Sequence, residues 1–550
     1  MATDAKNDDQ SDESQPSRPD QYRGQILMGL GRTWAVSLMG MTGVLVEVQA
    51  DAGSGIPDAT IVGSASAVLK EAKHRVKVAA KNSGFDWPAA RLVVNFSPAD
   101  VPKGGSMFDL ALATSILCAT DQIVDPQAAR TVHLGELSLD GSVQPVRGVL
   151  PAVHAAVRAG YPDVVVPRAN AAEAALVQDA RVTPVAHLID LAHHYGVPVA
   201  PDVERRVRAD LARRLPRDSG PSAPPQAPGT GPDLRDVLAQ HQARHALEVA
   251  AAGGYHLLME GPPGTGKTML AARLPGLLPD LPDADALEVT SIHSLCGTFA
   301  AEQGLIRRPP FESPHHTASA PAIVGGGSGI PRPGSISRAH CGVLFLDEAP
   351  EFPARVLEVL RQPLEAGHVM LDRSGAHTSY PARIQLVLAA NPCPCGLAGE
   401  VHARCTCTPH QLRRYRARMS GPVLDRVDIQ LRVEPLSQAE LAMDRTPESS
   451  AVVRDRVRHA RDRMSHRLTG TAWPTYAQAP GSWIRERTHA AGTRLTRDLE
   501  RARDRRQITM RGYDRVLRLA WTLADLAKRE QVASDDIAAA FTLRTRENHG

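Results

Sequence analysis

One stretch, YHLLMEGPPGTGKTMLAARL at residues 255–274, constrains the fold of this chain more than any other. Residues 261–268 match the pattern G-x-x-x-x-G-K-[ST], with an apolar strand-like run before them and a helical run after them. Glycines at these positions let successive backbone N–H groups curl around phosphate oxygens at the start of a helix. The stretch therefore predicts an α/β domain in which a buried strand leads into a phosphate-binding loop.

The residues of this loop are the predicted nucleotide contacts. They are Gly261, Pro262, Pro263, Gly264, Thr265, Gly266, Lys267 and Thr268. Lys267 is expected to reach the β- and γ-phosphates of ATP, and the hydroxyl of Thr268 is expected to bind Mg²⁺. A glycine-rich segment alone can be a structural turn, but here the strand, the Lys-Thr pair and the helix are in register.

Two further apolar runs end in polar side chains suited to the same chemistry. The run GVLFLDEAPEF ends in Asp347, predicted to hold Mg²⁺ through water, and in Glu348, predicted to polarise the attacking water. The alternative is a strand that simply ends in two solvated acids. The run IQLVLAAN ends at Asn391, whose side chain can orient the same water molecule.

Arg426 follows a short helical turn in GPVLDRVDI. An arginine in this position can act as a finger that reaches the γ-phosphate bound by a neighbouring subunit. The alternative is an ordinary surface arginine that pairs with Asp425 or Asp428. Between the loop and Asp347, the Gly/Pro-rich segment APAIVGGGSGIPRPGSISRAHCG either lines the pore of a ring or forms a long surface loop.

The 550 residues exceed what one hydrophobic core supports, so several domains are expected. With 43% hydrophobic and 22% charged residues and no run of about 18 apolar residues, the chain is typical of a globular protein without a membrane span. Residues 1–20 are acidic and polar, which predicts a disordered tail and no secretory signal. A cytoplasmic location is the expectation, and thiols stay reduced there.

Composition divides the rest of the chain into four parts. Residues 21–200 alternate strand-like and helical runs and predict a first α/β domain. Residues 201–233 are rich in Pro, Gly and Ser and predict a linker. Residues 234–435 predict the nucleotide-binding α/β domain, and residues 436–550 predict a helical region. The expected fold class is therefore multidomain α/β with a helical C-terminus.

Positive charge is concentrated near the C-terminus. Residues 451–550 carry 21 Arg/Lys against 12 Asp/Glu, and a shorter basic run precedes Arg426. That run holds Arg413, Arg414, Arg416 and Arg418 around Tyr415. Such segments attract nucleic acid phosphates. They are also typical of a solvated helical surface or of salt bridges between subunits.

Four of the seven cysteines lie within residues 393–407, as two C-x-C pairs. They are Cys393, Cys395, Cys405 and Cys407. Thiolates in a reducing compartment favour tetrahedral Zn²⁺, although C-x-C is tighter than the usual C-x₂₋₄-C spacing. We take a structural zinc site as the hypothesis; a packed loop of reduced thiols and redox chemistry are the alternatives. His402 and His410 are possible substitute ligands.

Several motifs resemble one known family. PFESPHHTAS, GGGSGIPRPGSISRAHCGVLFLDEAPEF, LEVLRQPLEAGHV, LAANPCPCG and GPVLDRVDI are similar to the magnesium-chelatase-like AAA+ ATPases of the YifB/ComM type. FSPADVPKGGSMFDLALA and HLGELSLDGSVQPVRGVLPAV near the N-terminus match the same family, so the resemblance covers roughly residues 21–545. One departure is Glu312, where the family usually has Arg.

The resemblance implies a Lon-protease-like N-terminal domain (ribosomal S5 domain 2-like), an AAA+ core and a C-terminal helical lid. It implies ATP and Mg²⁺ as cofactors, a homohexameric ring and no membrane partner. It also implies action on single-stranded or branched DNA, as a branch-migration helicase in recombination or natural transformation. Arg511 falls at the family's second sensor arginine.

Two other functions remain open on the same evidence. One is a chelatase-type motor that remodels a protein partner for metal insertion. The other is an ATP-dependent Lon-like protease, which needs a serine nucleophile and a lysine. At those two positions the resemblance places Met107, with Ser106 one residue away, and Leu150. The catalytic pair is therefore expected to be missing.

Overall fold

The computed structural model describes residues 29–544, except 55, 57, 63–66, 104–105, 215–230, 328–330, 374–375, 400–404, 420, 437–439, 441–446 and 493–494. The predicted tail at residues 1–20 and residues 215–230 of the predicted linker lie outside the described residues. His402 lies outside them as well.

The N-terminal part is a seven-stranded mixed sheet with the order β3-β4-β2-β1-β5-β8-β9. β1 and β2 form an antiparallel hairpin, whereas β5, β8 and β9 run parallel. The strands of this part are β1 (Leu30–Met39), β2 (Thr42–Gly53), β3 (Ala59–Val62), β4 (Arg91–Ser97), β5 (Val132–His133), β6 (Glu136–Leu137), β7 (Val143–Gln144), β8 (Asp163–Pro167) and β9 (Arg181–Val185). β4 alternates buried and exposed side chains, as expected of a strand with one face against the core.

Helices cover both faces of this sheet. They are α1 (Ala67–Asn82), α2 (Asp109–Ala119), α3 (Val149–Arg158), α4 (Ala171–Ala174), α5 (Leu188–His194) and α6 (Pro201–Arg214). α2 is buried along almost its whole length and packs on β1, β2 and α1. A Cβ on Gly31 would lie 1.9 Å from the carbonyl oxygen of Ser115, so only glycine allows this close approach.

α6 corrects the N-terminal limit of the predicted linker. Residues 201–214 form a helix instead of an irregular segment. Its Val207 is buried, Val203 packs against Gly84, and the guanidinium of Arg206 donates to the carbonyl oxygen of Asn82 over 3.1 Å. The apolar residues recur at helical spacing, and Pro201 suits the first helical turn, so this segment packs on the first domain.

The central part contains a five-stranded parallel sheet with the order β11-β14-β17-β10-β18. Its strands are β10 (Leu257–Glu260), β11 (Phe311–Glu312), β14 (Val343–Leu346), β17 (Gln385–Ala390) and β18 (Ile429–Arg432). β14 and β17 are buried at every residue, which explains why both are continuous apolar runs. Parallel pairing brings the carboxyl ends of β10, β14 and β17 to one edge.

Short helices and two hairpins surround this sheet. The helices are α7 (His241–Gly253), α8 (Lys267–Ala271), α9 (Leu274–Leu277), α10 (Asp283–Cys296), α11 (Ala320–Val324), α12 (Ser335–Arg338), α13 (Ala354–Val359), α14 (Arg361–Ala366), α15 (Pro409–Arg418) and α16 (Gly421–Leu424). The hairpins pair β12 (Gly325–Gly326) with β13 (Arg332–Pro333) and β15 (His368–Arg373) with β16 (Ala376–Pro381). α10 also packs on α3, so it joins the central part to the N-terminal part.

Every regular element of the C-terminal part, over its described residues, is a helix. The helices are α17 (Ser450–Arg467), α18 (Gly481–Ala491), α19 (Arg497–Asp504), α20 (Met510–Leu526) and α21 (Ser534–Arg544). α17 and α20 pack on α7, and the hydroxyl of Tyr255 donates to the carbonyl oxygen of Arg518 over 2.8 Å. Among the described helices, none has the length and apolar character needed to span a bilayer.

Candidate nucleotide-binding site and cysteine cluster

The predicted phosphate loop lies between β10 and α8, as the sequence indicates. β10 ends at Glu260, the loop occupies residues 261–266, and α8 begins at Lys267. Gly264 and Gly266 have φ values of +81° and +84°, a left-handed conformation that favours glycine. The loop backbone therefore needs glycine at these two positions, in agreement with the motif.

Lys267 joins the loop to the neighbouring strand. Its Nζ donates to the carbonyl oxygens of Gly261 (2.6 Å) and Pro262 (2.8 Å) and to Oδ1 of Asn391 (3.2 Å). Burial lowers the pKa of Lys267, and the charges of Asp347 and Glu348 act in the opposite direction. The structure thus brings the predicted sensor Asn391 into direct contact with the predicted phosphate-binding lysine.

Thr268 and Asp347 meet at the same edge of the sheet. The Thr268 hydroxyl donates to Oδ2 of Asp347 over 2.6 Å, and the amide of Glu348 donates to Oδ1 over 2.9 Å. A hydroxyl beside a carboxylate is the hard-oxygen ligand set that Mg²⁺ prefers. Together with the glycine loop and Lys267, these residues fit a magnesium–nucleoside triphosphate.

Glu348 has two features that the sequence did not reveal. Its φ is +51°, which is rare for a residue other than glycine and is found at strained functional sites. Its Oε2 lies 3.2 Å from Nδ1 of His316, in the segment after β11. Sequence analysis missed His316 as a site residue. The signal for it is the His pair in PFESPHHTAS, directly after a strand that pairs with β14.

Arg426 and Arg511 lie at the opposite edge of the sheet. The amide of Asp428 donates to the carbonyl oxygen of His256, which precedes β10, so this segment borders the amino end of that strand. At about 3.3 Å per residue, roughly 16 Å of strand separates it from Gly261. Arg426 and Arg511 line one cavity of about 900 Å³. Neither therefore reaches the phosphate loop of its own chain.

The contacts of these two arginines differ from the expectation for Arg426. Its side chain is only 10% exposed and pairs with Glu365. Burial and the neighbouring guanidinium groups, Arg361 foremost, lower the pKa of Arg426. Arg511 is largely exposed and lies 3.4 Å from Oδ2 of Asp425. The cavity that Arg426 and Arg511 line is thus rich in arginine, and the guanidinium of Arg426 is buried in it whereas that of Arg511 is open to solvent.

Comparison with known proteins decides the family. Residues 233–441 match the family described as magnesium chelatase, subunit ChlI; residues 46–170 match subunit ChlI of Mg-chelatase; residues 447–544 match the ChlI C-terminal family. Protein Rv2897c of Mycobacterium tuberculosis is 46% identical over 94% of this chain and 99% of its own length. Competence protein ComM of Haemophilus influenzae is 38% identical over 94% of this chain and 98% of its own length. YifB of Escherichia coli is 37% identical over 94% and 97%.

The chain belongs to the YifB/ComM family of magnesium-chelatase-like proteins. Membership in the YifB/ComM family confirms the predicted resemblance. It agrees with the parallel α/β sheet and supports an ATPase of the AAA+ type that uses ATP and Mg²⁺. The departure noted at Glu312 also has a structural account in this YifB/ComM chain. Its Oε2 accepts from Nη2 of Arg338 over 2.9 Å, so an internal ion pair occupies this position.

The N-terminal domain of this YifB/ComM protein does not form a serine–lysine pair at the predicted positions. The hydroxyl of Ser106 donates to the carboxylate of Glu136. Leu150 is fully buried in α3. Lys103 donates to the backbone carbonyl oxygens of Pro98, Ala99 and Val101. A carboxylate partner cannot take the role that the lysine has in this type of protease.

The four clustered cysteines of the YifB/ComM chain converge on one point. Their Sγ atoms all lie within 4.8 Å of one another, and Cys393 is fully buried. Three of the Sγ–Sγ distances are 3.3 Å (Cys393–Cys395), 3.5 Å (Cys395–Cys405) and 3.7 Å (Cys393–Cys405). A hydrogen bond from the backbone amide of Leu397 contributes most to lowering the pKa of Cys395 to about 6. His410 lies in α15, and the group of converging ligand atoms does not include it.

The basic run of this YifB/ComM chain forms α15 and has two kinds of arginine. Arg418 pairs with Glu351 over 2.7 Å. Arg413, Arg414 and Arg416 are exposed and have no ion-pair partner within the described parts of the chain. Tyr415, between them in sequence, is buried. The helix therefore has a packed face and a positively charged face.

Proposed function

We propose that this protein is an ATP-driven ring motor that acts on DNA as a branch-migration helicase, in recombination or natural transformation. The observation that carries the proposal is the division of the candidate machinery between two edges of one sheet. Lys267, Thr268, Asp347 and Asn391 lie at the carboxyl edge, whereas Arg426 lies at the amino edge. An arginine that cannot reach its own phosphate loop is suited to the loop of a second copy.

A closed ring follows from this arrangement. The contact between a phosphate loop on one copy and an arginine cavity on the next is head-to-tail, and head-to-tail contacts close into rings when the rotation allows. We propose a homohexamer on the basis of the family. In the ring, an incoming phosphate would compete with Glu365 for the guanidinium of Arg426 and with Asp425 for the largely exposed Arg511.

The chemistry divides among the residues as follows. Bound ATP supplies the phosphoanhydride bond, and Mg²⁺ neutralises charge on the phosphates. Lys267 binds the β- and γ-phosphates through Nζ, and Thr268 and Asp347 present oxygen ligands to the metal ion. Glu348 takes up the proton of the attacking water at its carboxylate, and Asn391 orients that water. Arg426 and Arg511 of the neighbouring copy stabilise negative charge on the γ-phosphate.

DNA as the partner rests on charge and on the relatives. The exposed arginines of α15 and the positive balance of residues 451–550 offer contacts for phosphates, whether the strand is single or branched. The similar protein of Haemophilus influenzae is a competence protein, ComM. We propose the same substrate class here, with no membrane partner.

The test is ATP turnover with and without DNA, together with a mass measurement of the assembly. We expect forked or four-way DNA to stimulate turnover severalfold, and affinity for DNA to fall steeply with salt. A labelled four-way junction should be converted into separate duplexes by branch migration only when ATP is present. Turnover indifferent to every DNA structure, or a protein that stays monomeric with nucleotide, would contradict the proposal.

A chelatase-type motor is the second candidate, because all three matched families are chelatase subunits. Such a motor remodels a protein partner, so its ATPase activity would respond to that partner and not to DNA. The Lon-like protease is disfavoured, since Ser106 bonds to a carboxylate and Leu150 replaces the lysine. ATP-dependent degradation of casein by the purified protein would be needed to support a protease function.

We also propose Zn²⁺ as the occupant of the cysteine cluster. Four ligands at about 2.3 Å in a tetrahedron are separated by about 3.8 Å, close to the Sγ–Sγ distances of 3.3–3.7 Å among Cys393, Cys395 and Cys405. Thiolates select Zn²⁺ over Mg²⁺ or Ca²⁺, which prefer oxygen. Elemental analysis should find one zinc per chain. Purified protein without zinc, which also fails to take it up from solution, would rule the site out.

A further inference from the structure

We propose that the zinc ion held by the four cysteines braces the phosphate loop, so that occupancy of the metal site determines how tightly the chain binds nucleotide. The inference deepens the proposed function and rests on its nucleotide site. The cluster has two arms, the pair Cys393 and Cys395 and the pair Cys405 and Cys407. Three separate contacts connect the cluster with the nucleotide site: one along the chain next to Cys393, one through the turn of the first arm, and one through the helix that follows the second arm.

The first contact is along the chain. Cys393 follows two residues after Asn391, with only Pro392 between them. Asn391 Oδ1 accepts from Lys267 Nζ at 3.2 Å. A proline between the two restricts the backbone, so a displacement of Cys393 is passed to Asn391 instead of being absorbed. Fixing the Cys393 thiolate on a metal ion therefore fixes the amide that contacts Lys267.

The second contact is between the turn of the cluster and the phosphate loop. Gly396 closes the turn with a hydrogen bond from its amide to the carbonyl oxygen of Cys393 (2.9 Å), and its φ is +81°. A Cβ at this position would lie 2.6 Å from Cδ and 2.7 Å from Cγ of Pro263. The backbone of the turn thus packs directly on the phosphate loop, with no space for a side chain.

The third contact runs through the other arm. Cys405 and Cys407 lead directly into α15, whose first turn is capped by the hydroxyl of Thr408. On this helix, Tyr415 is buried, and the backbone of Asn391 lies close enough to act on the pKa of its hydroxyl. Arg418, at the end of the helix, pairs with Glu351 at 2.7 Å, three residues after the proposed catalytic Glu348. The second arm thus contacts both the sensor and the acidic strand end.

A metal ion is what makes these contacts act together. The two arms meet at their thiols, and four thiolates at such distances repel one another unless a cation lies between them. A divalent ion replaces that repulsion with four bonds and joins the Pro263 contact to the Asn391 contact. Since metal binding and local folding are coupled, loss of the ion should loosen both.

Cysteine variants test the brace directly. Zinc per chain, affinity for a fluorescent ADP analogue and far-UV circular dichroism should be measured for the full-length protein and for Cys405→Ser and Cys407→Ser. We expect both variants to lose zinc and to bind ADP at least tenfold more weakly, with the overall helix content preserved. Cys296→Ser, a free cysteine outside the cluster, is the control and should retain zinc and affinity.

A glycine pair separates the brace from a general loss of folding. Gly396→Ala retains all four thiols but places a methyl group against Pro263, so it should retain zinc and still bind ADP more weakly. Gly399→Ala is the matched control. Gly399 has a similar φ of +84°, but the nearest atom to its added Cβ is the flexible end of Arg432, at 3.3 Å. Gly399→Ala should therefore bind ADP more tightly than Gly396→Ala.

The outcomes also distinguish the inference from the proposed function. Zinc-free variants that bind ADP as tightly as the parent would overturn the brace and leave the ATPase proposal intact. A parent protein without zinc would overturn the metal site and, with it, the brace, and would also leave the ATPase proposal intact. A parent protein that holds zinc but binds no ADP, and that equals Lys267→Ala in this respect, would instead contradict the proposed function and, with it, the brace.

Discussion

Nδ1 of His316 lies 3.2 Å from Oε2 of Glu348, within reach of an ion pair or a hydrogen bond. His316 lies in the segment after β11 and Glu348 lies directly after β14, and these two strands pair with each other. Glu348 must direct its carboxylate at a water molecule to act as a base, and the contact with His316 occupies one oxygen of that carboxylate. We therefore expect His316 to compete with the attacking water for the proposed base.

Replacing His316 by Ala should raise the basal ATPase rate. The pair is half-exposed, so it is worth about 1 kcal/mol at most, which corresponds to a rise of about fivefold. Affinity for ADP should stay the same, because His316 does not contact the phosphate loop. His315→Ala is the control, since the neighbouring ring bonds to Thr317 and not to Glu348. A His316→Ala rate below that of the parent would show that His316 assists catalysis instead.

Glu348→Gln should bind ATP with Mg²⁺ and assemble normally, but lose turnover by about 100-fold or more, because an amide cannot accept the proton of the water. Single-turnover measurements with radiolabelled ATP would check the chemical step. Glu351→Gln is a matched acid-to-amide change three residues away that breaks only the pair with Arg418. If Glu348→Gln hydrolysed ATP at the parent's rate, Glu348 could not be the base.

Mixing two inactive variants should restore activity if Arg426 acts on the neighbouring copy. Lys267→Ala and Arg426→Gln should each reduce turnover at least about 100-fold alone. In mixed rings, some interfaces combine an intact Lys267 from one copy with an intact Arg426 from the next, and these should hydrolyse ATP. Mass measurements on each variant verify that rings form. If the variants assemble well but their mixture stays inactive, Arg426 does not act on the nucleotide of the neighbouring copy.

The free energy of unfolding of the N-terminal domain should decrease as the pH is lowered from about 6.5, because of His133. Its ring is buried between Thr33 (2.6 Å) and Tyr195 (2.8 Å), and burial lowers the pKa of His133 from 6.5 to about 3. The folded state thus binds fewer protons than the unfolded state between these values. Stability from this group is complete above pH 6.5 and decreases by about 1.4 kcal/mol per pH unit below it, until about pH 3.

Thermal unfolding at pH 7.5 and pH 5.5 measures this effect. His133→Gln cannot gain the proton, so its melting temperature should change less between the two pH values than that of the parent, even if it is lower at both. His245→Gln is the control, because His245 is exposed. An unchanged pH dependence in His133→Gln would assign the acid sensitivity to other groups.

Local patterns predicted the phosphate loop, the acids at the end of β14 and Asn391 at the end of β17. Their positions at strand ends agree with the structure because each prediction depends on a short stretch, a buried strand followed by a particular residue type, and because parallel strands end at a common edge. The pattern failed at residues 201–214, which the Pro, Gly and Ser content of residues 201–233 assigned to a linker. There the helix depends on Val203 and Val207 packing against the end of α1, a contact with residues far away in sequence.

The sequence by itself determined which residues carry the chemistry suited to a nucleotide and which carry the chemistry suited to a soft metal ion, since both are properties of side-chain type and short spacing. Only the tertiary structure decided what those residues touch. It paired Glu348 with His316, held Arg426 against Glu365 at the far edge of the sheet, and packed Gly396 on Pro263. These relationships join segments distant along the chain, and they form because burying the apolar strands brings those segments together.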